Sequence, residues 1–150
     1  MSLFIDSGIW IGAKLEKDDY YPSAKQLLEN ALQGREQVYI STFVMDEVVS
    51  YFIKKKPALA AEILEGLQGD ERIKILPVDR SIISTAKNLV EVHAKGDLPL
   101  SMTDWTSVLL AKAHKIGKII TTDEHFLDVK RLREYRSFEV LKARRKDGRL

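Results

Sequence analysis

The chain has 150 residues, the length of one domain with one core, and its 45% hydrophobic content, 8 Gly and 4 Pro are those of a folded globule. It contains no cysteine, which excludes disulfide frameworks, zinc fingers, iron–sulfur clusters and thiol nucleophiles and leaves carboxylates and histidines to hold any metal. The net charge of +2 is unevenly spread: residues 142–150 carry five basic side chains against one acid, whereas residues 1–141 hold 19 basic and 21 acidic ones.

The opening MSLFIDSGIW lacks the basic and long apolar regions of a secretory leader. No apolar run reaches the roughly 18 residues of a membrane span. A cytoplasmic protein with no membrane association is the expectation. The run Leu3, Phe4, Ile5 is a buried strand that ends at Asp6, with Ser7 and Gly8 read as a turn. From Tyr21 to Leu32, apolar residues at helical spacing predict a helix with Pro22 in its first turn and Gly34 as its stop. Val38–Ile40 is a second strand, and Ser41 or Thr42 caps a helix over Phe43–Ile53. Pro57 opens another helix that runs to Gly69.

Ile73 to Val78 make a third strand, and Asp79 or Ser81 begins a helix through about His93. After a loop with Pro99, Ser101 starts a long helix to Ile116, with Asp104 three residues on where a capping box would place Glu. Lys118–Thr122 is a fourth strand that ends at Asp123, and Phe138–Leu141 a short fifth. Strands that alternate with helices predict a three-layer α/β/α sandwich around a mostly parallel sheet. Ligands of such sheets gather outside the carboxyl ends of the strands.

Two of the predicted strands deliver an aspartate there, Asp6 and Asp123. Asp104 lies in the first turn of the helix that leads into strand four, and Glu47 about one turn into the helix after strand two. On a helical wheel Glu47 falls at the edge of the apolar face beside Val44 and Tyr51, whereas Asp46 falls opposite with Ser50. Each acid alone has a bland role as a cap, a turn residue or a boundary glutamate. Four carboxylates at one edge repel by several kcal/mol unless protonated or neutralised, so their convergence implies a hard divalent cation such as Mg²⁺ or Mn²⁺.

Other chemistries lack their residues. There is no G-x-x-x-x-G-K-[ST] phosphate loop, no G-x-S-x-G elbow and no H-E-x-x-H pair. The D-x-D of a strand-end aspartate nucleophile is absent too, since Ser7 and Gly8 follow Asp6.

The segments FIDSG, STFVMDEV, LPLSMTDW and IITTDEHF, in that order, resemble the PIN-domain ribonucleases, particularly the small single-domain kind that serve as VapC-type toxins. The resemblance runs nearly end to end and places the acidic metal ligands on Asp6, Glu47, Asp104 and Asp123, with supporting hydroxyls at Ser7, Ser101 and Thr121. Trp105 departs from the small residue usual after the third acid, and either narrows the pocket or adds to the core. By this reading residues 1–141 are a PIN-like nuclease domain and 142–150 a basic tail, whose Lys142, Arg144, Arg145 and Lys146 attract RNA phosphates. The resemblance implies an Mg²⁺- or Mn²⁺-dependent endoribonuclease, a small antitoxin covering its cleft, and a homodimer. The alternative is a non-catalytic RNA- or protein-binding module with the same fold, which would normally have lost one of the acids.

Overall fold

The computed structural model describes residues 2–96 and 98–148; Arg149 of the basic tail lies outside them. Five strands, β1 (Ser2–Ile5), β2 (Gln37–Ser41), β3 (Ile73–Leu76), β4 (Lys118–Thr121) and β5 (Glu139–Lys142), form one sheet in the order β3-β2-β1-β4-β5 with every pairing parallel. Leu3, Phe4 and Ile5 of the central strand are all buried, as a strand covered on both faces requires.

The helices are α1 (Ser7–Lys14), α2 (Ser23–Gln33), α3 (Thr42–Lys55), α4 (Pro57–Gly69), α5 (Arg80–His93), α6 (Met102–Ala113) and the single turn α7 (His125–Asp128), followed by two short 3₁₀ turns. The chain steps from β1 to β2 to β3 on one side and then crosses back to β4 and β5 on the other. With right-handed crossovers this puts α1–α4 on one face and α5–α6 on the opposite face. The reversal of direction leaves a crevice between the carboxyl ends of β1 and β4.

Two features differ from the sequence expectation. Ser7 and Gly8 do not make a turn but open α1 directly after Asp6. The short helix hides its periodicity because Ile9, Trp10, Gly12 and Ala13 are all buried, leaving little polar contrast. At the other end Lys142, the first residue of the expected tail, is the last residue of β5, paired with Thr121, so the sheet extends past 141. Ala143 is fully buried and donates its N–H to the Thr121 carbonyl at 2.9 Å.

Candidate active site

Asp6 sits at the crevice, the residue after β1, with its own N–H bonded to the Ile120 carbonyl of β4 at 2.9 Å. It is 4% exposed. The Thr121 hydroxyl, at the end of β4, donates to Asp6 Oδ2 at 2.8 Å, while Asp6 Oδ1 is buried with no hydrogen-bond partner. Burial foremost, then the facing Asp104 and, more weakly, Glu47, push the Asp6 carboxyl up to about 7 against the pull of hydrogen bonds from Thr121 and Ser7.

Asp104 is fixed by the start of α6. The Ser101 side chain accepts the Asp104 N–H and Asp104 Oδ2 accepts the Ser101 N–H, both at 3.1 Å, which makes the capping box with Asp that the sequence suggests. Burial raises the Asp104 carboxyl to about 6, with Asp123 and Glu47 adding repulsion and the Ser101 bonds opposing. Asp123 is held by the β4 end, where its N–H donates to Thr121 Oγ1 at 3.0 Å and its Oδ1 accepts the His125 N–H at 2.9 Å. Thr121 therefore ties the Asp6 carboxylate to the Asp123 backbone.

Glu47 lies on the exposed side of the edge where the wheel puts it. Val44, Val48 and Phe52 are the buried face of α3, and Glu47 is exposed beside the equally exposed Asp46, whose Oδ1 accepts the Ser50 hydroxyl at 3.2 Å. It is Glu47, not Asp46, whose charge reaches Asp6 and Asp104. The acids thus form a graded mouth, with Asp6 at the bottom, Asp104 and Asp123 half-buried and Glu47 at the rim. Among the described residues no three His, Asp or Glu side chains form a ready-made coordination sphere. The electrostatic coupling nevertheless reaches all four, and repulsion between ionised carboxylates opposes a tighter cluster.

Of the supporting hydroxyls, Thr121 is buried within the site, Ser101 acts through the helix cap, and Ser7 touches Asp6 through a backbone hydrogen bond. Gly8 is needed at this point: a Cβ there would press on the Thr122 side chain, its Oγ1, Cβ and Cγ2 together, so only glycine lets α1 approach the end of β4. Trp105 is fully buried, stacked on His93 with ring centroids 5.4 Å apart, and so belongs to the core rather than the pocket.

The basic tail is not loose. Arg144 N–H donates to Ser23 Oγ, Arg145 pairs with Asp19 at 3.3 Å, and the Lys146 ammonium donates to the Glu16 carbonyl. Lys142 and Arg145 both lie over the Tyr20 ring, at 5.0 and 5.7 Å. These contacts dock the tail on the α1–α2 connection. Lys142 also lies near the acids: burial lowers its ammonium pKa, while Glu124 and Asp123 act in the opposite sense. What sequence reasoning missed is α1 itself, which brings Ser7 and Ile11 alongside Glu47 and Tyr51 of α3.

An all-parallel sheet with acidic side chains at its switch point defines an α/β protein whose candidate site lies in a strand-end crevice. The family model for the PIN domain matches residues 3–132, and the chain belongs to that family. A VapC ribonuclease of Archaeoglobus fulgidus is 26% identical over 129 residues, which cover 84% of this chain and 80% of that protein. Two solved structures share the fold. VapC20 of Mycobacterium tuberculosis, described as a sarcin–ricin loop cleaving toxin, has a TM-score of 0.67 at 19% identity over 79% of this chain and 87% of its own. VapBC2 of Rickettsia felis, solved with a DNA fragment from its promoter, has a TM-score of 0.65 at 17% identity over 95% and 99%. No helix among the described residues is long and apolar enough to cross a membrane.

Proposed function

We propose that the protein is a divalent-metal-dependent endoribonuclease, the toxin of a toxin–antitoxin pair, with Asp6, Glu47, Asp104 and Asp123 as its working carboxylates. The observation that carries this reading is Asp6: a buried carboxylate at the sheet's switch point, with one oxygen anchored by Thr121 and the other without a partner, facing two further acids. An orphaned buried oxygen within an all-oxygen donor set suits Mg²⁺ or Mn²⁺. A divalent ion bound there supplies Lewis acidity that acidifies water and offsets charge on the phosphate and the leaving oxygen.

The protein's own part is orientation. Hydrogen bonds take up one oxygen of each aspartate: Thr121 on Asp6 Oδ2, Ser101 N–H on Asp104 Oδ2 and His125 N–H on Asp123 Oδ1. Each carboxylate is thereby turned into a fixed ligand whose second oxygen serves the site, an arrangement of supported ligands that tunes metal sites generally. In this proposal Asp6, Asp104 and Glu47 would be the principal ligands, with Asp123 holding a second ion or a metal-bound water.

The VapC ribonuclease relative supports RNA as substrate, and the fold shared with VapBC2 supports a small antitoxin as partner; a homodimer is part of the same proposal. Incubation of the purified protein with single-stranded RNA and Mn²⁺ should give cleavage that EDTA stops and that Asp6→Asn abolishes. RNA binding without cleavage under any divalent ion would instead make the chain a non-catalytic module.

A further inference from the structure

α1 and α3 leave the carboxyl ends of neighbouring strands and pack against each other. Along their seam a hollow of about 450 Å³ begins at Ser7 and Glu47 and reaches Tyr51 and Lys55. A second hollow, of about 760 Å³, shares Tyr51 and Lys55 and continues to Lys14 and Lys56. One trough therefore leads out of the carboxylate mouth. Its α3 wall repeats every four residues, Glu47, Tyr51, Lys55, a rise of about 6 Å per step that is comparable with the spacing of successive phosphates on a single strand.

The chemistry changes along the way from acid to aromatic to cation. Tyr51 is half-buried, braced edge-on against the buried Phe52 at 5.3 Å, with Lys55 Nζ 6.0 Å from its ring centroid. A ring held rigid beside an ammonium is the combination on which single-stranded nucleic acids stack and anchor. Lys14, Lys54, Lys55 and Lys56 are exposed. The second hollow is lined by four lysines, Lys14, Lys17, Lys55 and Lys56, against three acids, Glu16, Asp18 and Asp19, of which Asp19 is paired with Arg145. Docking of the tail on this same connection brings Lys146 to the Glu16 carbonyl, so the distal end is flanked by further positive charge.

We propose that this trough is the track of the single-stranded RNA substrate, with Tyr51 stacking a base next to the scissile position and Lys55, Lys14 and Lys56 taking the phosphates beyond it. The proposal rests on the ribonuclease reading, and binding and cleavage are measured separately so that the two can fail independently. Binding of a fluorescein-labelled mixed-sequence RNA of roughly 12 nucleotides, within the usual range of single-strand site sizes, is followed by anisotropy with the full chain in EDTA. Tyr51→Leu keeps the apolar bulk and removes the stacking face, and should weaken binding about tenfold at an unchanged salt slope. Lys55→Glu should weaken it and flatten the slope of log K against log[salt] by about 0.7 per lost phosphate contact. Lys87→Glu on α5, where Lys87 pairs with Glu91, is the control for net charge.

Equal effects of Lys55→Glu and Lys87→Glu, with Tyr51→Leu binding as wild type, would mean diffuse attraction and overturn the track. Variants that bind RNA normally but lose affinity for poly-glutamate would give the trough to an acidic protein segment, which also overturns it. If wild type fails to cleave with Mn²⁺ yet binding keeps its dependence on Tyr51 and Lys55, the track stands and the nuclease reading falls.

Discussion

The buried carboxylate predicts an unusual stability profile. Moving a carboxyl from 3.8 to about 7 makes its ionisation about 4 kcal/mol more costly in the folded chain than in the unfolded one. Because the folded pKa is raised, the folded state binds more protons than the unfolded state in between. The stability tied to neutral Asp6 is present below about 3.8 and is lost as pH rises through about 7. Asp104, raised to about 6, loses stability over an overlapping range. Asp6→Asn removes the charge but keeps an acceptor for the Thr121 hydroxyl. It also puts an amide donor where Oδ1 has no partner, which takes back roughly 1–3 kcal/mol. In EDTA at pH 8 the variant should be more stable than wild type by about 1–3 kcal/mol, or roughly 2–10 °C in Tm for a chain of this size. Between pH 8 and pH 5 this advantage should shrink by about 2–3 kcal/mol, because folded wild-type Asp6 takes up its proton over that range, and the remainder is lost only as pH falls to about 3.8. Thermal melts of both proteins from pH 5 to pH 8.5 measure this directly, and parallel profiles would refute the buried-charge account. Saturating Mn²⁺ at pH 8 should restore wild type by about 2.7 kcal/mol at a hundredfold excess over Kd and help the variant less.

Glu47→Gln should lower cleavage by orders of magnitude while Asp46→Asn, which disturbs only the Ser50 contact, leaves it nearly intact; single-turnover rates on the same RNA decide between them. Gly8→Ala should cost about 1–3 kcal/mol in urea unfolding and reduce turnover, since α1 must shift away from Thr122. Ser101→Ala removes the side-chain half of the α6 capping box at a cost of about 1 kcal/mol, while the Ser101 N–H still holds Asp104 Oδ2, so melts should show lower stability with most of the Mn²⁺-induced gain kept. Neutralising Arg144 and Lys146 together should flatten the salt slope of RNA binding by at most about 1.4, whereas truncation from Lys142 should unfold the β5 edge as well, as circular dichroism would register.

What could be read from the chain, and what could not, divides along physical lines. The strand-end aspartates were legible because a three-residue apolar run ending in Asp is a local signal, and Asp104 because its capping partner lies three residues away. The helix wheel picked Glu47 over Asp46 and put it at the edge of the apolar face; its charge does reach Asp6, and it lies on the exposed side of that edge because the core-facing arc of α3 is narrow, with Met45 and Val49 only half-buried. α1 was illegible since a helix wedged between the sheet and α2 is buried on several sides and shows no amphipathic stripe. The tail misled for a related reason. Its charge run reads as a basic tail separate from the domain, but Ala143 is a core residue and Asp19 a long-range ion partner, and neither relation has any sequence periodicity.

The same distinction explains why the site could be named before its track. Asp6 and Asp123 are placed by strand ends and Asp104 by a helix start, local features that the sequence marks one at a time. The trough is made by two helices 35 residues apart in their starting positions, Ser7 and Thr42, that meet only because β1 and β2 are neighbours in the sheet. Topology supplies that juxtaposition. The residues that anchor a substrate at a distance therefore surfaced only in three dimensions, while those proposed to act on it lay at the strand and helix ends all along.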